Sequence, residues 1–71
     1  MRLDPWSEQG YLLRARLHGA RKEWREALVD LEEAVRRRPD YGTSYYWRAM
    51  VLIELEQWDA ALADFDEALR R

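Results

Sequence analysis

The chain reads DLEEAVRR from Asp30 to Arg37 and DFDEALRR from Asp64 to Arg71, 34 residues later. Laying residues 8–37 over 42–71 extends the match along both segments. Tyr11 falls on Tyr45, Arg14-Ala15 on Arg48-Ala49, Trp24 on Trp58, and Ala27-Leu28 on Ala61-Leu62. Leu17 meets Val51, Leu31 meets Phe65 and Val35 meets Leu69, so apolar character is kept where identity is not. Pro5 and Pro39 share the same 34-residue offset. A fixed period of this length marks stacked supersecondary units, none of which can bury its apolar face alone. It divides a single domain, 1–71, into one repeat at 8–41 and a second at 42–71.

Each repeat carries the pattern of two helices. The first helix is expected over 7–20 and its copy over 41–55; the second over 24–37 and its copy over 58–71. Trp24, Ala27, Leu28, Leu31, Ala34 and Val35 recur at helical spacing and form one apolar stripe. Trp58, Ala61, Leu62, Phe65, Ala68 and Leu69 repeat it. Acid-then-base pairs four apart (Glu32–Arg36, Glu33–Arg37, Asp66–Arg70 and Glu67–Arg71) read as a solvated face that supports the helices. Pro39 cannot continue the helix before it and biases Arg38 away from helical dihedrals. Short connections near 21–23, 38–41 and 55–57 favour antiparallel neighbours.

Composition removes several function classes. Lysine and arginine number 12 against 14 acidic residues, a net charge of -2, which is not the basic excess that nucleic acid or an anionic membrane would need. Cysteine is absent, and the single histidine, His18, cannot build a metal site without other strong ligands. His18 falls on Leu52 and reads as a packed or half-packed side chain. There is no nucleophile–base set, no glycine-rich phosphate loop and no cofactor motif, so an enzyme is not expected. Nor is RNA reading. The repeat-matched pairs Leu12/Tyr46 and Arg16/Met50 form no code of polar base-reading residues. With no apolar run of about 20 residues and no basic-then-apolar leader, the expectation is a soluble, cytoplasmic protein.

These residues resemble the tetratricopeptide repeat family, whose period is 34 and whose pattern runs from an aromatic residue through paired small residues to a closing proline. Here it reads Tyr11, Ala15, Ala27-x3-Leu31 and Pro39, then Tyr45, Ala49 and Ala61-x3-Phe65. Residues 1–5 look like the tail of a preceding repeat. The resemblance implies an all-α fold, a right-handed superhelical stack of two antiparallel helix–turn–helix hairpins. It also implies a non-catalytic module that binds a protein or peptide. Three departures stand out. Lys22 and Glu56 replace the family's glycine between paired helices, at about 1 kcal/mol if they take the left-handed conformation. Arg14 and Arg48 replace its usual leucine. Leu12, Arg16 and Trp47 stand where some members carry a lysine–asparagine clamp for a peptide's terminal carboxylate, so that clamp is absent.

In this family the first helix of each hairpin lines the concave side. The resemblance therefore points to a groove of Gln9, Leu12, Arg16 and Ala20, continued by Thr43, Tyr46, Trp47, Met50 and Glu54. Residues 45–55 contain only Arg48 and Glu54 as charged groups. Tyr45, Ala49 and Leu52 suit the interior, and an exposed Tyr46–Trp47–Met50 patch would suit a partner.

The second copy lacks the closing proline, and no capping helix follows Arg71. The chain reads as a fragment of a longer array in which Leu62, Phe65 and Leu69 stay at least partly uncovered. Burying such side chains is worth about 1.5–3 kcal/mol each, comparable to the ~3–5 kcal/mol a core of this size supplies. Self-association into a homo-oligomer is the expected outcome. A two-fold pairing of last helices, a head-to-tail stack and exchange through 38–41 are all compatible with the sequence. The alternative function is a structural self-assembly unit with no external ligand.

Overall fold

A computed structural model describes residues 7–71 and contains four helices: α1 (Glu8–Ala20), α2 (Trp24–Arg37), α3 (Gly42–Glu54) and α4 (Trp58–Arg70). No strand occurs among the described residues. The helices pack in contacting pairs, α1 on α2 and α3 on α4, and α2 packs on α3 to join them. Each helix lies within one residue of its expected bounds, and the connections fall at 21–23, 38–41 and 55–57. The Pro5–Pro39 match and the reading of residues 1–5 as a repeat tail lie outside the described residues.

The ends of the helices follow from local chemistry. Ser7 caps α1 by accepting the Gly10 amide at 3.4 Å, and Glu8 adds negative charge to the first turn. Two hydrogen bonds close α1: Lys22 N–H to the Gly19 carbonyl and Glu23 N–H to the His18 carbonyl, both 2.9 Å. Glu56 N–H to Ile53 and Gln57 N–H to Leu52, again both 2.9 Å, close α3 in the same way. This is the Schellman arrangement, which needs a left-handed residue just past the helix. Lys22 at φ 61° and Glu56 at φ 60° supply it without being glycine. At the last connection but one, Pro39 ends the helix and its carbonyl accepts the Tyr45 hydroxyl at 2.7 Å. Gly42 opens α3 where the chain comes close to the end of α4: a Cβ there would lie 3.0 Å from Arg71 Cβ and 3.1 Å from the Ala68 carbonyl oxygen.

Two apolar clusters make the core. The larger joins Tyr11, Leu12 and Ala15 of α1 to Ala27, Leu31 and Ala34 of α2 and to Val51 of α3. The smaller, Ala49, Leu52 and Ala61, lies between α3 and α4, and Leu28 touches both. Alanines at the crossings let helix backbones approach closely, which larger side chains would prevent.

A charged pair is set into each helix pair beside this apolar packing. Arg14 donates through Nε and Nη2 to the two carboxylate oxygens of Asp30, at 2.9 and 2.8 Å. Arg48 does the same to Asp64, both at 2.8 Å. Both aspartates are buried. The hydrogen bond to Asp64 raises the Arg48 pKa above its ordinary value, against the opposing effect of burial. The Asp30 hydrogen bond raises that of Arg14 in the same direction. A raised arginine value contributes stability that is fully present below the unfolded value and lost only as pH climbs through the folded one. Arginine therefore stays charged in this pair throughout ordinary conditions. The surface charges are arranged less regularly than their spacing suggests. Glu33 and Glu67 each take the arginine four residues on, at 3.3 and 2.9 Å. They also draw in Arg36 and Arg70, which leaves the expected Glu32–Arg36 and Asp66–Arg70 pairs unmade.

Two sets of substitutions test this description. Lys22→Gly and Glu56→Gly relieve left-handed strain and are each expected to add up to ~1 kcal/mol after the greater freedom of the unfolded chain is subtracted. The gain would appear as a higher urea midpoint at unchanged slope; a lower midpoint contradicts the strain. Asp64→Ala strands Arg48 and is expected to cost about 3–5 kcal/mol, enough to unfold the chain, whereas Arg48→Met with Asp64→Leu restores helical circular dichroism. Full stability of Asp64→Ala alone would show the pair to be dispensable.

Candidate functional site

The groove residues expected from the sequence separate into three places. The first is an apolar cleft of about 320 Å³ where α1, α2 and α3 meet. Ala15, Leu31 and Val51 form its floor, Trp24, Trp47 and Met50 its walls, and Arg16 and Glu54 supply opposite charges at its edge. The Arg16 guanidinium lies over the Trp47 ring, 5.3 Å from its centroid. That distance suits a cation–π pair.

A smaller recess, of about 210 Å³, brings Gln9, Leu12, Arg16, Thr43 and Trp47 together beside the cleft. Leu12, expected as a groove residue, is buried within the larger core cluster. It lies on the α1 face that meets α2 and α3, so it supports the recess from beneath more than it offers a contact.

Tyr46 does not join the cleft. Consecutive helix residues point about 100° apart, so Trp47 turns toward α1 while Tyr46 turns toward α4. Tyr46 packs edge-on to Phe65 at 5.9 Å and edge-on to Trp47 at 5.8 Å. The expected Tyr46–Trp47–Met50 patch is thus split along a ridge. On its far side Tyr46, Thr43, Phe65, Leu69 and Arg71 line a shallow hollow of about 630 Å³. Leu69 is 86% exposed and Leu62 64% exposed, while Phe65 is half-buried against Tyr46 and the smaller core cluster.

Three features were not anticipated from the residues. Trp24 lines the cleft, a role its repetition as Trp58 could have suggested. Leu13 and Leu17 on α1 are 46% and 58% exposed. Their repeat partners Trp47 and Val51 are the α3 residues that pack on the core cluster of α1 and α2. The Arg14–Asp30 and Arg48–Asp64 pairs were also legible in principle, because both partners recur together at the 34-residue period. His18 is half-buried as expected, with Nδ1 2.8 Å from Glu23 Oε1 and Nε2 3.7 Å from Asp30 Oδ2.

Among the described residues no three histidine, cysteine, aspartate or glutamate side chains gather as a metal ion would require. No helix among them is long and apolar enough to cross a membrane. Comparison with family models, curated proteins and solved structures finds no match to this chain.

Proposed function

We propose that this chain is a non-catalytic protein-interaction module of the tetratricopeptide repeat type. In this reading the two helix pairs are antiparallel hairpins stacked as a right-handed α-solenoid. The 34-residue period, the matched small residues and the four-helix packing support it. The observation that carries the function is the cleft between α1 and α3. It joins two tryptophans and a methionine to one positive and one negative charge. Rigid aromatic walls and an adaptable methionine suit an apolar anchor from a protein segment, and Arg16 and Glu54 suit polar groups flanking it. The ligand class is a peptide with one bulky apolar side chain and a neighbouring charge.

The second reading, a self-assembly unit with no external ligand, is favoured by Leu62 and Leu69. Two large exposed apolar residues on the last helix, beside the Tyr46–Phe65 hollow, suit association with another copy. Both activities fit one molecule, because the cleft and the hollow lie on different sides of α3.

Selection from a random peptide library separates them. Peptides recovered on the immobilised chain are expected to carry an aromatic or leucine anchor and to lose tenfold or more in affinity, about 1.4 kcal/mol, against Trp47→Ala. Phe65→Ala, across the ridge, leaves their binding unchanged. Recovery of no peptide, or equal binding to Trp47→Ala, contradicts a ligand-binding cleft and leaves the assembly reading.

A further inference from the structure

The two helix pairs meet through α2 and α3, and the 34-residue repeat maps each side of that junction onto a bare surface elsewhere. On the α2 side, Leu28 and Leu31 contact the core clusters that α3 completes. Their copies on α4 are Leu62 and Phe65, the first exposed and the second half-buried. On the α3 side, Trp47 and Val51 pack on the cluster formed by α1 and α2. Their copies on α1 are Leu13 and Leu17, both exposed. One molecule therefore displays both halves of a junction it already makes once.

We infer that copies of this chain associate head to tail, with α4 of one copy packing on α1 of the next as α2 packs on α3. The inference rests on the reading of the α4 face as a self-association surface and names its occupant. Leu62, Phe65 and Leu69 meet Leu13 and Leu17 of the next copy. A surface that pairs with a different surface on an identical molecule makes an open stack, where a two-fold contact would close at two.

The charges agree with this register. Within the chain, Glu32 on α2 attracts Arg48 on α3. The equivalents across the new junction are Asp66 on α4 and Arg14 on α1 of the next copy, so the opposite signs are kept. Burial agrees as well. The Arg48 side chain, beside α2, is 22% exposed, whereas that of Arg14, which has no such helix beside it among the described residues, is 53% exposed.

Stacking also builds a second copy of the cleft. The repeat partners of Trp24, Arg16 and Ala20 are Trp58, Met50 and Glu54. Those of Trp47 and Met50 are Leu13 and Arg16, contributed by the next molecule. Trp58, exposed in the single chain, becomes one wall of this shared site.

Two charged substitutions on exposed positions test the inference by light scattering, with circular dichroism to verify folding. The unaltered chain is expected to rise in mass with concentration and to pass two chain masses before about 1 mM. Leu17→Glu blocks only the α1 side and Leu69→Glu only the α4 side, so each alone stays at one chain mass. Mixed in equal amounts they reach twice that mass and stop, because each supplies the surface the other has lost. Where either variant loses its helical signal, Leu13→Glu or Leu62→Glu replaces it. Association of Leu17→Glu on its own while Leu69→Glu stays single means that α4 pairs with α4. That result overturns the head-to-tail contact and leaves self-association standing. No gain in mass on mixing, or continued growth of both variants, overturns it equally. An unaltered chain that stays single at about 1 mM overturns the self-association reading with it.

Discussion

The organisation of this chain depends on a buried carboxylate held by a two-pronged arginine, made once in each helix pair. An aspartate removed from water costs several kcal/mol unless its oxygens are satisfied. Asp30 and Asp64 meet that demand with Arg14 and Arg48, through two parallel hydrogen bonds each. The geometry is directional, so it tolerates little sliding of one helix along the other. Apolar packing through Ala15, Ala27, Ala49 and Ala61 gives close approach but few landmarks. The ion pair supplies the register that alanines cannot. Arg37 and Arg71 lie over the rings of Tyr11 and Tyr45, near Arg14 and Arg48, which extends the same arrangement to the far ends of α2 and α4.

Identical local chemistry meets different surroundings in the two repeats. Trp24, Leu28 and Ala34 are at least half-buried, whereas Trp58 and Leu62 are exposed and Ala68 is only half-buried. Sequence sets each helix's apolar stripe, but the neighbour decides whether that stripe is core or surface. The difference places the cleft on α3's side toward α1 and the hollow on its side toward α4. It also accounts for the greater exposure of Arg14 over Arg48, whose ion pairs are otherwise nearly the same length.

Much of this was legible from the residues. Period, proline and stripe located four helices to within a residue, because long, strongly periodic segments with clear breakers leave few alternatives. The left-handed residues Lys22 and Glu56 stood where the resembled family carries a glycine. Side-chain direction around α3 was harder to read. Tyr46, Trp47 and Met50 looked like one patch along the chain, but their angular separation on the helix sends Tyr46 to Phe65 and Trp47 to Arg16. Leu12 looked accessible until α3 covered it. Arg14 and Arg48 stood out only as replacing the resembled family's leucine, because nothing local shows that an aspartate sixteen residues away is buried beside them. Such pairings arise from tertiary contact, and only their recurrence at the repeat period marks them.

We propose that the α2·α3 junction is a pattern the chain makes again through its outer helices. Amide hydrogen exchange, read residue by residue at low and high protein concentration, addresses this most directly. Exchange is expected to slow together in α1 around Leu13 and Leu17 and in α4 around Leu62 and Leu69 as concentration rises, with α2 and α3 unchanged. Protection that appears in α4 without α1, or is spread evenly over all four helices, would contradict it.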